Sequence, residues 1–478
     1  MRKILAVFVL IGITFVYANA FAFQFESSGE DQKSIAVTVY NNNLGLVKDT
    51  RKVKMDKGIH EMKFMDVASQ INPVTVHIKS LTTPAKLIVL EQNYEYDLLT
   101  SKKLLDKYVG KKVKLIDKNY YTGTEEIFDA YLLSNNDGPV YKINNEIYLN
   151  HIGKVVLPEV PENLIAVPTL LWLLDNRNPK AQDIEVSYLT SGINWKSDYI
   201  AVINQDNKLA ELTGWVTLNN RSGTAYKNAK IKLVAGEVNR IVPPQIEVLR
   251  TVSFGEEPDK SHFKEESFFE YHLYTLDRAS TIKNNQSKQI ELLQAVNIPV
   301  KERLIYYGAN YYFRSRSTGR MRSDKKIGVF LEIENKKENN LGIPLPAGII
   351  RAYKEDSQGS LQFIGEDKID HTPKDEKIKI KMGNAFDILG KRKQVDYKIL
   401  SKNAAQRFDT EQKWQITVSN HKDRPVAVEV IEPIPGDWVI LKSSHSYEKI
   451  EAHTIKFVLD LKANETQTVD YQIKIRFY

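Results

Sequence analysis

Cysteine is absent from the 478 residues, and that one gap removes several kinds of chemistry. No disulfide framework can hold the fold, no thiolate can act as a nucleophile or bind a metal, and no cysteine can carry a bacterial lipid anchor. Long apolar runs are also scarce. Beyond the first twenty residues none approaches the roughly 18 residues that a membrane-spanning helix needs. Helix signals are few, and without a heptad repeat a coiled coil is excluded. The common catalytic signatures are missing: there is no H-E-x-x-H, G-x-S-x-G, G-x-x-x-x-G-K or G-x-G-x-x-G. The nine histidines are scattered without ligand spacing. The formal charge of +7 is small for this length and gives no reason to expect nucleic acid as a partner. Stability has to come from apolar burial and sheet hydrogen bonds, and a chain this long can supply both.

The N-terminus has the three parts of a secretory signal. Arg2 and Lys3 are its positive region, residues 4–16 are apolar, and Ala18-Asn19-Ala20 is an A-x-A cleavage pattern. Ala20-Phe21-Ala22 offers a second cleavage pattern, and the alternative is an uncleaved anchor, against which the apolar run is short and interrupted by Gly12 and Thr14. Residues 1–20 are therefore expected to be a cleaved signal peptide. The mature protein is expected to be soluble, periplasmic or extracellular, and not a lipoprotein.

What the chain does have is aromatic residues, with 24 Tyr and 18 Phe, and alternation of apolar with polar positions from end to end. Ile35, Val37 and Val39 share one face, as do Ile184, Val186 and Tyr188, then Val426, Val428 and Val430, and finally Val469, Tyr471, Ile473, Ile475 and Phe477. This period of two places one face on a core and the other in water, the mark of antiparallel sheet. Turn pairs punctuate the runs: Asn42-Asn43, Asp137-Gly138, Asn144-Asn145, Ser222-Gly223 and Thr318-Gly319. The spacing predicts a helix over 101–109, with Ser101 as cap and Gly110 as terminator, and a weaker one over 286–294.

The expected fold is mainly β, with several antiparallel β domains. Residues 32–92 form a first β region. Residues 98–158 hold the helix and then short strands at 112–116, 127–133, 140–143, 146–149 and 154–157, the size of an SH3-like barrel. Residues 169–400 form a large central β region interrupted by a polar loop at 243–263. Residues 403–478 read as an Ig-like β-sandwich. The aromatic end, Phe477-Tyr478, suggests an outer-membrane barrel, but the short strands and intervening charged stretches do not supply regular spans of about ten residues.

Three polar groups are candidates for function. Glu366, Asp367, Asp370, His371, Asp375 and Glu376 can be read as a metal or general-base site, or as a turn between strands, which Pro373 favours. Glu265, Glu266, Glu270 and His272, among Phe268, Phe269, Tyr271 and Tyr274, can suit glycoside chemistry, although strand packing accounts for them better. Tyr306, Tyr307, Tyr311, Tyr312 and Phe313 precede Arg314, Arg316, Arg320, Arg322, Lys325 and Lys326. They describe a basic hairpin tip on an aromatic root, suited to anionic lipid, phosphorylated glycan or an acidic partner. Of these, Tyr307, Tyr311, Arg314, Arg316, Arg320 and Arg322 form the candidate binding site. The five tryptophans lie in apolar or alternating runs and are expected in the core. Nothing points to a catalytic residue, a metal or a cofactor.

Several separate motifs carry a resemblance. Residues 184–199 read Ile-Glu-Val-Ser-Tyr-Leu-Thr-Ser-Gly-Ile-Asn-Trp-Lys-Ser-Asp-Tyr, and Leu-Thr-Gly-Trp-Val-Thr-Leu-Asn-Asn-Arg-Ser-Gly and Leu-Val-Ala-Gly-Glu-Val-Asn follow by residue 239. Leu345-Pro346-Ala347-Gly348, Gly365-Glu366-Asp367, His371-Thr372-Pro373 and Gly383-Asn384-Ala385-Phe386-Asp387 come later, and Val39-Tyr40-Asn41 with Val47-Lys48-Asp49-Thr50-Arg51 earlier. Together they resemble the exported bacterial proteins of domain-of-unknown-function family 4139. Relatives named for a mucoidy inhibitor carry a long helical insertion that this chain lacks. The resemblance implies export but no reaction and no catalytic residues. The preferred reading is a cell-envelope binding or scaffolding protein whose partner is an envelope protein or an anionic surface ligand. The alternative is a hydrolase acting on an envelope polymer.

Overall fold

The computed structural model describes residues 24–95, 99–118, 123–151, 153–161, 165, 167–236, 263–268, 271–316, 326–402 and 408–478. The expected signal peptide and most of the polar loop lie outside these residues. Among them strand is the dominant element, in four sheets that are mainly antiparallel and do not close on themselves.

The alternation is realised directly. Along Gln182–Thr190 every second side chain is buried. The strand pairs with Leu44–Val53 so that Val186 faces Asp49 and Tyr188 faces Val47. Asn43 completes the preceding turn at φ 56, a left-handed conformation that asparagine tolerates better than most residues. These strands belong to an eight-stranded sheet with Gln32–Tyr40 and Tyr226–Ala235. Beside it lies a four-stranded sheet ordered Gln24–Ser27, Gly58–Phe64, Thr169–Asn176 and Leu87–Glu95. The division expected between 32–92 and 169–400 therefore runs through both sheets, because strands from either side pair with one another.

A thirteen-stranded sheet carries the rest. Two long strands organise it, Gln286–Tyr307 and Lys377–Lys402. The first pairs along its opening half with Leu209–Asn220, then along residues 300–305 with Lys326–Glu334. Its opening half occupies the segment expected to be helical at 286–294. Ile290, Leu292 and Leu293 are buried against the large core there, and strand pairing overrides a weak local helix preference. The second long strand pairs with Lys326–Glu334 and then with Phe408–Asn420.

Apolar packing divides into three cores. The largest fills the space under the first two sheets and the opening half of Gln286–Tyr307, around Phe64, Trp172 and Trp195. The second lies between the layers of the C-terminal sandwich, around Trp414, Phe457 and Tyr471. It also takes in Tyr306, Ile327 and Ile388, so the sandwich recruits strands well before residue 403. The third belongs to the small module alone.

In that module the helix Ser101–Tyr108 is capped by Thr100, whose side chain accepts from the Lys103 amide, and not by Ser101. Five strands follow close to their expected positions: Lys112–Lys118, Glu125–Ser134, Val140–Ile143, Glu146–Leu149 and Lys154–Val156. Their order places Glu146–Leu149 at one end and Lys154–Val156 at the other, so the sheet is open and not a barrel.

Buried tyrosines give the large core a pH signature. Burial pushes Tyr188 well above its ordinary value, with Tyr226 adding to the shift. Burial raises Tyr199 and Tyr226 as well. A group whose ionisation is raised by folding contributes stability that is complete below its unfolded value and is lost as pH rises beyond it. Stability should therefore hold up to about pH 10 and fall above it, in step with phenolate absorbance. A urea midpoint that stays flat from about pH 9 to pH 11 contradicts this.

Candidate functional site

At the end of Gln286–Tyr307 the alternation turns Tyr306 into the sandwich core and leaves Tyr307 at the surface, about half exposed. Gly308 follows, where a Cβ would come within 2.8 Å of a Glu432 carboxylate oxygen. A short 3-10 turn, Asn310–Phe313, then drops Phe313 onto Trp414, with ring centroids 5.0 Å apart.

A buried ion pair holds this corner. Arg392 in Lys377–Lys402 donates to a carboxylate oxygen of Glu432 in Val426–Pro433, and neither side chain is exposed. Tyr471 donates to the other Glu432 oxygen at 3.0 Å. The same guanidinium donates to the Tyr307 carbonyl at 3.4 Å and lies 4.5 Å from the Tyr306 ring centroid and 5.5 Å from that of Tyr312. Burial opposes its charge, but the field of Glu432 outweighs that and holds the Arg392 ionisation above its usual value. Burial, with a hydrogen bond to Tyr311, pushes Tyr312 up to about 12. One cation thus fixes the backbone after Tyr307 and the seat of the next two tyrosines.

On the outer side, the Tyr307 ring meets Phe330 edge-on at 6.2 Å. Lys379 donates to the Tyr307 hydroxyl at 3.0 Å, and its ammonium lies 4.7 Å from the Phe330 centroid. Neighbouring charges are largely matched: Arg303 bonds Glu332 at 2.8 Å and Glu429 at 2.6 Å, and Lys377 lies 3.4 Å from Glu332. Tyr311 is 63% exposed and packs edge-on against Tyr312 at 4.6 Å. Arg314 and Arg316 follow, both exposed. Of the expected site, then, Tyr307 is tied to this guanidinium through its backbone carbonyl and Tyr311 only through Tyr312, and Arg314 and Arg316 follow in sequence. Arg320 and Arg322 lie outside the described residues, as does the turn pair Thr318-Gly319.

The other clusters have structural partners. Glu366 pairs with Arg351 at 3.1 Å, Asp367 accepts from the Lys381 amide at 2.7 Å, and His371 Nδ1 accepts from the Ala347 amide at 3.2 Å. Glu366 and Asp367 lie on Leu361–Ile369, and His371 lies in the connection from it to Lys377–Lys402. No group of acidic or histidine side chains is placed to hold a metal among the described residues. Tyr274 is buried and donates to the Pro344 carbonyl at 3.1 Å, whereas Phe269 and Glu270 lie outside the described residues. Trp172, Trp195 and Trp414 are buried.

A pocket of about 280 Å3 opens where the two large cores meet, lined by Ile203, Asn207, Glu302, Leu331, Lys354 and Met382 among others. Asn207 bridges its two charged groups: it accepts from Lys354 and donates to Glu302 at 3.1 Å. Arg424 reaches the same carboxylate at 3.3 Å. Glu302 is its one carboxylate.

Sequence reasoning missed Arg392, Glu432, Phe330 and Lys379. The signal for Glu432 was present, since extending Val426, Val428 and Val430 by two residues places a carboxylate on the buried face. A charge at an inward position asks for a buried partner.

This architecture defines a cysteine-free, multi-sheet β protein with a tyrosine- and arginine-bearing corner and no assembled catalytic cluster among the described residues. Residues 184–477 match the domain of unknown function DUF4139, and the chain belongs to that family. No curated protein matches the chain. The matched segment includes the sandwich and the tyrosine corner, and the five-stranded module lies before it.

Proposed function

We propose that this chain is exported and acts in the cell envelope as a binding or scaffolding protein, with the surface around Tyr307, Tyr311, Arg314 and Arg316 holding an anionic glycan. The supporting observation is that a fully buried ion pair lies beneath the tyrosine corner, while Tyr307, Tyr311, Arg314 and Arg316 are exposed above it. Tyrosine rings pack on the C–H faces of sugars, and arginine forks match carboxylate or phosphate groups. The pocket favours binding over hydrolysis, because glycoside hydrolysis ordinarily needs a pair of carboxylates and Glu302 stands alone there. The apolar stretch at 4–16 and the Ala18-Asn19-Ala20 pattern support export.

Titration with polygalacturonate and, as a neutral control, dextran tests the glycan reading. Polygalacturonate should bind, and the double variant Arg314→Ala, Arg316→Ala should weaken binding by roughly tenfold. Equal affinity for dextran, or an unaffected variant, defeats it. Mass spectrometry of the protein from fractionated cells tests export: a cytosolic chain still starting at Met1 rejects it.

A further inference from the structure

The strands Leu87–Glu95 and Thr169–Asn176 pair from Leu87 opposite Asn176 to Glu95 opposite Thr169. Both belong to the four-stranded sheet, and the five-stranded module is inserted between them, so it leaves that sheet at the end where Glu95 meets Thr169. One face of its sheet is occupied: Val113, Leu115, Leu132 and Tyr141 pack with Tyr108 and Leu105 of the helix.

The opposite face is open and unusually apolar. Ile127, Ile147 and Leu149 are 63%, 64% and 71% exposed, and Tyr131, Leu133 and Val156 are exposed beside them. Lysines stand within this surface. One cross-strand row reads Lys112, Tyr131, Lys142, Ile147, and the next reads Val156, Lys114, Asp129. A third reads Lys154, Ile116, Ile127, and the pair Lys118 and Glu125 continues it toward the sheet end. Lysine therefore outnumbers the two carboxylates, Glu125 and Asp129. The Lys112 ammonium lies 5.6 Å from the Tyr131 centroid, its stem lying along the ring.

Two physical arguments select the occupant. Lysine is depleted from protein–protein interfaces, and here it is interleaved with the aliphatic side chains. At a bilayer the same mixture is favourable: stems and aliphatic groups enter the interfacial layer while ammonium groups reach lipid phosphates. Size agrees. Five strands about 4.8 Å apart and roughly 20 Å long present about 500 Å2, below the roughly 800 Å2 per partner of a stable protein interface.

We propose that the outer face of this sheet docks on an anionic bilayer surface. Ile127, Tyr131, Ile147 and Leu149 enter the interfacial layer, and Lys112, Lys114, Lys142 and Lys154 meet lipid phosphates. Because the module is inserted in the four-stranded sheet, this contact holds the rest of the chain beside the membrane.

The test is co-sedimentation of the purified full chain with phosphatidylcholine vesicles, with and without phosphatidylglycerol. Binding should require phosphatidylglycerol and weaken with salt. The double variant Lys114→Glu, Lys142→Glu should lower partition by roughly tenfold or more. The double variant Ile147→Ser, Leu149→Ser should also lower it while the salt dependence persists. All four positions are exposed, so unchanged thermal midpoints will show that both variants fold. The idea is overturned by failure to sediment with phosphatidylglycerol vesicles, by variants that bind like the parent, or by a dimer that Ile147→Ser, Leu149→Ser converts to monomer. Both variants leave Arg314 and Arg316 intact, so vesicle binding that they do not weaken overturns this proposal without touching the tyrosine-corner reading.

Discussion

Glu432→Gln should cost the protein about 3–5 kcal/mol, a large part of the stability of an ordinary domain. The substitution keeps the shape and a hydrogen-bonding oxygen but removes the only formal charge set against Arg392 among the described residues, and neither side chain of the pair is exposed. An uncompensated guanidinium would remain among Tyr306, Tyr312 and Tyr471, where no water reaches it to replace the lost carboxylate. Replacing both partners with apolar groups, as in Arg392→Met with Glu432→Leu, should recover most of the loss, because the desolvation cost disappears together with the attraction. Urea denaturation of Arg392→Met, Glu432→Leu and the double variant measures the coupling. If Glu432→Gln unfolds within about 1 kcal/mol of the parent, the pair is not what holds the tyrosine corner.

A second loss of similar size is expected for Arg51→Ala. Arg51 is buried, donates to Asp49 Oδ2 at 2.9 and 3.1 Å, and reaches the carbonyls of Ser27 at 2.7 Å and Met65 at 2.8 Å. Its guanidinium lies 3.5 Å from the Phe64 ring centroid. Those contacts join the eight-stranded sheet to the four-stranded one. Removal strands Asp49 without its counter-charge and takes one donor from each of the Ser27 and Met65 carbonyls, the first of which keeps the Met65 amide, for a combined cost of about 3–5 kcal/mol. Arg51→Lys should fall between, since an ammonium keeps the charge but cannot make the planar fork or stack as well on the ring. Equal stability of Arg51→Ala and Arg51→Lys in thermal unfolding would falsify the view that the charge matters here.

The strands were legible because their signal is local. Ile35, Val37 and Val39, or Val426, Val428 and Val430, announce a half-buried ribbon without reference to any partner. The module was legible for the same reason, down to the limits of its short strands. Sheet closure was not, since whether Glu146–Leu149 meets Lys154–Val156 depends on twist and register across the whole sheet. The stretch 286–294 misled because Leu292 and Leu293 are adjacent and both inward. The strand manages this beside an irregular step opposite Gly214 and Trp215, which no window of residues displays. The tyrosine corner was half legible. The run of aromatics and arginines stood out, whereas the pair that fixes it joins residues 40 positions apart in sequence and follows only from the pairing of distant strands.

Gln286–Tyr307 and Lys377–Lys402 have a consequence for how the molecule comes apart. Gln286–Tyr307 begins under one core and ends in the other, and Lys377–Lys402 begins in the sheet that covers the first and ends in the sandwich. A cut within either strand severs a girder and not a tether. The halves should therefore melt together in a single cooperative step, and neither should be recoverable as a folded fragment.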